Sequence, residues 1–437
     1  MRESVRGKRK PKVHVITMGC SKNVVDSEKL MAQLQLNDIE LAPTLEEADI
    51  AVINTCGFIE AAREESIDMI IQNVKRKAGG KLKKVYAMGC LTQRYPVELA
   101  AEIPEVDRIF GSNDIPAVLK ELGADYRRDL LGERILTTPS HTAYIKISEG
   151  CDNPCSFCSI PLMRGKHVSR PMDEIIREAR LLARRGVKEL IVIGQDTTSY
   201  GVDLDGRRNL GELLEQLGDV EGVEWVRLMY AYPAKFPMEV LDVIARHPHL
   251  CKYLDMPVQH VSDRVLRSMR RGTSRRALMD LLAGIRERVP GIALRTTLIV
   301  GYPEEGDREF AELLDFVREQ EFHRLGGFTY SLEEGTTAYG LGDPIAPEEK
   351  ERRLGLVMEA QREISLARNE ELVGTEQKVL IDRVEGDQLV GRTSHDAPEI
   401  DNEVFLPFRP EIRSGTFCHV GIVESTEYDL YARWRSQ

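Results

Sequence analysis

In the stretch SEGCDNPCSFCSIP, residues 148–161, Cys151, Cys155 and Cys158 form a C-x3-C-x2-C array. Three thiolates this close together can bind one iron–sulfur cluster and leave one of its irons without a protein ligand. Structural zinc is the alternative, but it needs four protein ligands. No fourth cysteine stands at a matching spacing, and His167 lies nine residues beyond the array. The array therefore favours an iron–sulfur cluster over zinc.

The segment around this array, residues 137–345, alternates apolar runs with amphipathic ones. The runs that predict strands are AYIKIS (143–148), ELIVIG (189–194), WVRLMY (225–230), YLDMPV (253–258), ALRTTLIVG (293–301) and LGGFTY (325–330). Helical patterns such as MDEIIREARLLARRG (172–186) lie between them. Six strand–helix units predict a (β/α) barrel, complete or open, with its site at the carboxyl ends of the strands.

Upstream of the barrel, three more apolar runs each end near a cysteine. These runs are VHVITMGC (13–20), ADIAVINTCG (48–57) and KKVYAMGC (83–90), and helical patterns follow them. Alternating strands and helices predict a Rossmann-like parallel sheet, in which all carboxyl ends lie at one edge. Cys20, Cys56 and Cys90 would then converge on one site. The alternative is three independently buried thiols, since free cysteine is often buried.

Downstream of the barrel, a long helical pattern runs through residues 347–374, with Gly374 as its expected stop. The remaining residues form short β-rich runs separated by Gly and Asp, which is typical of a small OB-like barrel. The sequence thus predicts an α/β protein of three domains, residues 11–125, 137–367 and 369–437. Cys251 and Cys418 match neither cysteine group and are expected to be packing thiols.

Bulk composition limits the possible functions. The 437 residues carry 60 Lys+Arg against 71 Asp+Glu, a net charge of −11. This charge disfavours a protein that mainly grips phosphate backbones and suits a basic partner better. The chain has no apolar run of the roughly 20 residues that a transmembrane helix needs, and its basic N-terminus is not followed by the apolar segment of a secretion signal. We therefore expect a cytoplasmic protein that uses its grouped cysteines for metal binding or chemistry rather than disulfides.

The cysteine array on a predicted (β/α) barrel resembles the radical S-adenosylmethionine (SAM) superfamily. The resemblance implies a 4Fe–4S cluster whose open iron chelates SAM, and reductive cleavage of SAM to a 5′-deoxyadenosyl radical. The residues in stretches similar to the SAM-contacting ones of the family are Gly194, Gln195, Asp196, Gln259 and Gly301. Gln259 fits equally well as a residue that hydrogen-bonds another SAM-contacting group. In GYPEE, residues 301–305, Glu304 replaces a glycine of the family pattern, which puts the loop geometry in question.

The order of all three domains resembles the methylthiotransferases, whose small C-terminal barrel is the TRAM module. This resemblance implies a second 4Fe–4S cluster held by Cys20, Cys56 and Cys90, on which an added sulfur is methylated before transfer to a substrate radical. The stretch IPLMRGKHVSRP, residues 160–171, is also similar to the family. Its Arg164 and Arg170 are candidates for ordering the active-site loop, with packing against helix ends as the alternative.

Short motifs separate two classes of methylthiotransferase. MGCSKNVVDSE (18–28), Asp196 in GQDTTSYG, DAPEID (396–401) and TEYDL (426–430) resemble the class that modifies an aspartate of small-subunit ribosomal protein twelve. The sibling class that modifies a tRNA adenosine is the alternative, and a two-cluster electron carrier is disfavoured because carriers use four cysteines per cluster. The implied partners are the basic ribosomal protein, free or on the ribosome, an electron donor protein and a sulfur donor, with no membrane and no tRNA. Residues 371–437 carry 13 acidic against seven basic side chains, a balance that would repel tRNA.

Overall fold

The structure, a computed structural model, describes residues 11–127 and 132–435, so most of the basic N-terminal segment lies outside the described residues. The chain divides into two compact units. The first contains residues 1–137 and 159–165, and the second contains residues 138–158 and 166–437. None of the helices in the described ranges combines the length and apolar character that crossing a bilayer requires.

The first unit is built on a parallel sheet of four strands in sequential order, with helices between them. Its strands are β1 (Val13–Thr17), β2 (Ile50–Thr55), β3 (Lys84–Gly89) and β4 (Arg108–Ile109). Its helices are α1 (Ser21–Leu36), α2 (Glu60–Ala78), α3 (Cys90–Arg94), α4 (Pro96–Glu102), α5 (Ile115–Glu121) and α6 (Ile160–Arg164).

Successive side chains along each strand point to opposite faces of this sheet, and both faces are buried. Val52 and Met88 pack into one apolar cluster with Leu30 of α1 and Val118 of α5. The neighbouring strand residues pack on the other face, where Ile53 meets Ile70 of α2. Because both faces are covered, β2 reads as the continuous run IAVINT, and all six of its residues are buried.

The second unit contains a six-stranded parallel sheet in the order β12-β11-β10-β9-β8-β5, which leaves β5 and β12 as its edges. These strands are β5 (Thr142–Lys146), β8 (Glu189–Ile193), β9 (Trp225–Leu228), β10 (Leu250–Asp255), β11 (Ala293–Val300) and β12 (Arg324–Thr329). A short antiparallel ribbon, β6 (Ser148–Glu149) with β7 (Val168–Ser169), follows β5. The helices are α7 (Met172–Arg184), α8 (Val202–Asp205), α9 (Leu210–Gly218), α10 (Glu239–Arg246), α11 (Asp263–Ser268), α12 (Arg275–Arg288), α13 (Asp307–Gln320) and α14 (Pro347–Glu370).

A closed five-stranded barrel completes the second unit, in the order β13-β14-β15-β17-β16. Its strands are β13 (Glu376–Glu385), β14 (Gln388–Thr393), β15 (Glu403–Pro407), β16 (Phe417–Ser425) and β17 (Asp429–Trp434). The chain enters it after α14 through Gly374, whose φ of +85° lies in the left-handed region that glycine adopts without strain. The predicted fold class, a parallel-sheet domain, an open (β/α) barrel and a small β-barrel, is confirmed.

The closed barrel meets the open one through buried ion pairs. Glu189, the first residue of β8, accepts hydrogen bonds from Arg227 (2.9 Å) and from Arg392 of β14 (2.7 Å). Arg324, the first residue of β12, pairs with Asp396 in the loop after β14 (Nε–Oδ1 2.9 Å). Both contacts lie at the amino-terminal ends of their strands, whereas the cysteine array follows the carboxyl end of β5.

Candidate active site and cysteine centres

The cysteine array forms a loop fixed to the carboxyl-end face of the open barrel. Ser156, inside the array, donates its backbone N–H to Met269 O (3.0 Å) and its hydroxyl to Ser268 O (2.8 Å). Cys155 Sγ accepts a hydrogen bond from Arg271 Nη1 (3.2 Å), and the Tyr232 hydroxyl lies 3.7 Å from the same sulfur. Hydrogen bonds from Ser156 and from Arg271 therefore fix the loop to the end of α11 and the segment after it.

The array has the donor chemistry that an iron–sulfur cluster requires. All three thiols are outside disulfides and partly accessible. Burial raises the pKa of Cys151 to about 11, and the nearby Asp196 and Cys155 add to the rise. The thiolate form thus needs a compensating positive charge, which cluster irons supply. Within residues 11–127 and 132–435, no three His, Cys, Asp or Glu side chains are grouped so as to hold a single metal ion.

Asp196 lies at the end of β8 but is fully engaged in hydrogen bonds. Its Oδ1 accepts from the backbone N–H and the hydroxyl of Thr198 (2.9 and 2.6 Å). Its Oδ2 accepts from Ser199 (2.7 Å) and from Asn153 of the cysteine loop (2.8 Å). Asp196 therefore ties the cysteine loop to the adjacent strand end.

Other polar atoms on this face are buried without a hydrogen-bond partner among the described residues. They are Ser148 Oγ, Gln195 Oε1 and Gln259 Oε1, which follow β5, β8 and β10 respectively. Gly194 fits against the first of them, since a Cβ at Gly194 would lie 2.7 Å from Ser148 Oγ. Buried polar atoms normally have partners. Three orphaned atoms at the carboxyl-end face thus fit a polar ligand such as SAM.

Gln259 occupies a strained conformation, with a φ of +70°. Such a conformation costs a non-glycine residue about 1–2 kcal/mol. Its backbone compensates by bridging to β11, donating to Thr297 O (2.9 Å) and accepting from Ile299 N (2.8 Å). The strand end is thereby extended, and the Gln259 side chain is held on the carboxyl-end face.

The loop after β11 is organised by Glu305, a residue that sequence reasoning did not single out. Its carboxylate accepts from Gly301 N (2.9 Å) and Arg353 Nη1 (2.8 Å), and it lies 3.2 Å from His260 Nε2. Glu304, which replaces the family glycine, is half-buried and pairs with Arg264. Glu304 is not among the residues with positive φ, so the loop forms without the glycine. Glu305 lies in the GYPEE stretch, and this position was the only signal for it in the sequence. Two of its partners, His260 and Arg353, are more than 40 residues away, so the sequence could not show the contacts.

In the first unit, Cys20, Cys56 and Cys90 follow the carboxyl ends of β1, β2 and β3. Their backbones approach closely, since a Cβ at Gly19 would lie 2.6 Å from Cys56 Cβ. Burial is the main cause of the raised pKa of Cys56 and of Cys90, about 11 for the latter; Cys20 adds to both shifts, and Cys56 adds to that of Cys90. Three free thiols at neighbouring strand ends form a donor set that fits a cluster bound by three cysteines.

Arg164 belongs to this cysteine group. It is buried in the first unit, where Nε donates to Cys90 Sγ (3.2 Å) and Nη1 donates to Asp26 Oδ2 (2.7 Å). The remaining guanidinium nitrogen, Nη2, donates to Asn23 Oδ1. The side-chain amide of Asn23 in turn donates to Met18 O (2.7 Å) and Thr55 O (3.1 Å). Arg164 and Asn23 thus connect the strand ends around the three thiols.

The other residues singled out from the sequence have structural partners. Arg170 donates to Lys146 O (2.8 Å) and pairs with Glu178 of α7 (2.7 Å), so it braces the end of β5. His167 lies 3.1 Å from Ser169 Oγ. Cys251 and Cys418 are buried in β10 and β16, as expected of packing thiols.

Three family models match the chain: the uncharacterized protein family UPF0004 over residues 12–111, the radical SAM superfamily over 145–317 and the TRAM domain over 373–434. Solved structures of the radical SAM methyltransferase TsrM from Kitasatospora setae (TM-score 0.55, 14% identity, 86% of this chain and 79% of that one) and of the radical SAM enzyme OxsB (0.55, 12%, 80% and 56%) share the fold. The chain therefore belongs to the radical SAM superfamily.

Curated relatives place it further. Proteins named ribosomal protein uS12 methylthiotransferase RimO are 52% identical in Cytophaga hutchinsonii (98% of both chains) and 52% identical in Chloroherpeton thalassium (97% of this chain and 98% of the relative). The relative of that name in Chlorobaculum tepidum is 48% identical over 97% of this chain and 98% of its own length. Within the superfamily, the chain belongs to the methylthiotransferase family of these RimO relatives.

Proposed function

We propose that this protein transfers a methylthio group to the β-carbon of an aspartate of ribosomal protein uS12. The observation that carries the proposal is the identity of about half of all residues, over nearly the whole of both chains, with relatives named for that activity. The substrate is a ribosomal protein, so the enzyme would act in the cytoplasm. The relatives favour this substrate over the tRNA adenosine.

The barrel array would hold the cluster that binds SAM. Cys151, Cys155 and Cys158 supply three thiolates, and Gln195 and Gln259 offer unpartnered oxygens beside them. When bound, this cluster and SAM supply one-electron chemistry that removes a hydrogen atom from the substrate. The chain's own contribution is to fix the loop through Asp196 and Ser156 and to shape the face through Gly194 and Gly301.

The three cysteines of the first unit would hold the second cluster, which supplies the sulfur that is transferred. Arg164 would compensate the charge of Cys90 and hold its sulfur in place. This assignment is supported by the close approach of the β1 and β2 ends and by the hydrogen bond from Arg164 to Cys90 Sγ. A sulfur donor and an electron donor protein are the further partners that the reaction needs.

The charge of the closed barrel supports a basic protein substrate, but fewer acids contribute than the sequence count indicates. Asp382, Asp396 and Asp401 are consumed by buried pairs with Arg392, Arg324 and Arg295. Reversing the charge of Asp401 would therefore disrupt the fold and would not test substrate binding. The exposed acids that could attract a basic protein are Asp387, Glu399, Glu411 and Glu424. Electrostatic attraction of this kind acts mainly on the association rate.

Mass spectrometry of uS12 tests the proposal. We expect peptides of uS12 from cells that carry the gene to show a methylthio mass increase on one aspartate, and peptides from a deletion strain to lack it. Complementation with C155A should not restore the modification, whereas C251A, at a buried packing thiol, is the matched control that should. An unmodified uS12, together with a methylthio adenosine lost from tRNA in the deletion strain, would reassign the protein to the tRNA-modifying class.

A further inference from the structure

A groove of about 940 Å³ opens beside the cysteine array in the second unit. It is lined by Pro154 of the array, by the loop after β9 and by the segment that runs from α11 through α12. Three of its lining residues are the exposed cations Lys235, Arg267 and Arg270. The groove is thus a positive surface on a chain whose net charge is −11.

These three cations differ from their neighbours in having no ion-pair partner among the described residues. On the same segment, Arg264, Arg275 and Arg276 pair with Glu304, Glu319 and Asp280 respectively. Asp263 is the single acid among the described residues that line the groove, and its Oδ1 accepts from Arg275 N (2.7 Å). Three cations against one acid leave the lining of the groove with a net positive charge that faces solvent.

Two of the cations lie on left-handed backbone. Lys235 has a φ of +55° and Arg270 a φ of +54°, where side chains other than glycine are disfavoured by about 1–2 kcal/mol. Strain of this kind is concentrated at functional surfaces. Both turns project a charged side chain where a glycine would be less strained.

The groove reaches to within one residue of Cys155 along two routes. Pro154 precedes Cys155 directly. Arg271 lies between the groove residues Arg270 and Gly272, donates to Cys155 Sγ (3.2 Å) and stacks on the Tyr232 ring at 4.4 Å. The wall of the groove is therefore also the outer wall of the site at Cys151, Cys155 and Cys158.

From this geometry we infer that the groove docks an acidic one-electron carrier protein that reduces the cluster at the barrel array. The inference rests on the proposed cluster there. One electron passes from the carrier, which is oxidised by one electron, to the cluster, which is reduced by one, and no bond forms or breaks. The positive groove would attract an acidic carrier protein. It would repel the proposed basic substrate, which therefore is not its occupant. Electron-transfer encounters use small interfaces and depend on electrostatic steering.

Stopped-flow reduction of the reconstituted holoenzyme tests the inference, with photoreduced flavodoxin as the acidic donor. We expect the rate of cluster reduction by flavodoxin to fall about tenfold or more in K235E/R267E/R270E at low salt, and to approach the wild-type rate at high salt. The neutralised variant K235Q/R267Q/R270Q should lie between the two. The matched control R180E/R184E/R207E, which makes the same charge change at exposed cations elsewhere in the unit, should keep the wild-type rate.

Photoreduction by deazaflavin, a small neutral donor, separates the possible failures. Equal reduction of wild type and groove variants by deazaflavin shows that the cluster is intact in each. If the wild type itself were not bleached, the cluster assignment would fail rather than the docking surface. Flavodoxin reducing the groove variants at the wild-type rate, with the same salt dependence, would overturn the inference. The same result together with lost binding to ribosomal RNA would reassign the groove to RNA.

Discussion

At the scale of single residues, Arg164 and Arg170 illustrate how similar side chains take different roles. Both lie in the stretch that follows the barrel array, and from sequence they are equivalent candidates for ordering the active-site loop. Arg170 braces β5 and α7, whereas Arg164 is buried against Cys90, Asp26 and Asn23. Hydrogen bonds to cluster sulfurs are one of the means by which a protein stabilises a cluster and sets its potential. Arg164 is therefore a positioning residue for the N-terminal cysteines.

We expect R164A to destabilise the cysteine group of the first unit specifically. Removing one partner of a buried charge pair costs about 3 kcal/mol or more, so urea should unfold apo R164A at a lower concentration than the parent protein. In a C151A/C155A/C158A background, where the N-terminal group holds the remaining iron, R164A should lose that iron to a chelator faster and shift the cluster's midpoint potential. R164K keeps the charge but not the planar guanidinium, so its rate of iron loss should lie between those of R164A and the parent protein.

R170A is the matched control for this prediction. It removes a similar arginine from the same stretch but should leave the N-terminal iron and its potential unchanged. An R164A protein that retained its iron as long as the parent would show that the contact with Cys90 is packing alone.

At the scale of elements, buried charge decides how the closed barrel is attached to the open one. Burial opposes ionisation of Glu189, but Arg392 and Arg227 outweigh it and hold the pKa of Glu189 below its usual range. Asp382 and Asp396 have lowered pKa values for the same reason, through His141 and Arg392 in one case and Arg324 in the other. These pairs join elements that are distant in sequence into one compact unit.

E189Q should lower the free energy of unfolding of the second unit by about 3–5 kcal/mol, because Arg227 and Arg392 would remain buried without their shared counter-charge. Urea unfolding followed by tryptophan fluorescence checks this, since Trp225 begins β9 and packs on Phe417 of β16. E385Q, at an exposed acid that pairs with Arg383, should cost less than about 1 kcal/mol. Equal stability of E189Q and E385Q would contradict the account of the attachment.

The pH dependence of this attachment follows from the lowered pKa values. A carboxyl whose pKa is lower in the folded state contributes its full stability above its unfolded value of about 4, and the contribution is lost as pH falls below it. The second unit should therefore keep the contribution from these pairs between pH 8 and about 5 and lose it in stronger acid, with a shallower loss in E189Q. Burial raises the pKa of Asp401, so its protonation opposes this loss. Thermal unfolding across this range measures both slopes.

Elements and candidate site were predictable from sequence to different extents. The spacing of apolar residues and the cysteines at the ends of apolar runs are both local signals. The six barrel strands and both cysteine groups could therefore be located from the sequence. The pairing of charges is tertiary: Asp401 looks like a surface acid in the sequence, yet it accepts from Tyr253 and pairs with Arg295. Glu305 and Arg164 were underestimated for the same reason, since their partners lie tens of residues away or more.

At the scale of the whole molecule, two cysteine groups of the same kind occupy the carboxyl ends of two different parallel sheets. Each group provides three thiols, and burial raises the pKa of several of them. A 4Fe–4S cluster bound by three cysteines retains one iron for an external ligand. We infer that the chain uses this arrangement twice, once for SAM and once for the sulfur to be transferred.

Iron analysis of cysteine variants tests whether the chain holds two clusters. Two clusters predict about eight irons per chain after anaerobic reconstitution. C151A/C155A/C158A should halve the iron and abolish SAM cleavage to 5′-deoxyadenosine, whereas C20A/C56A/C90A should halve the iron and leave SAM cleavage measurable. C251A/C418A, at the two packing thiols, should retain all of the iron. Full iron content in C20A/C56A/C90A would contradict the claim, because Cys20, Cys56 and Cys90 would then be buried thiols and not the ligands of a second cluster.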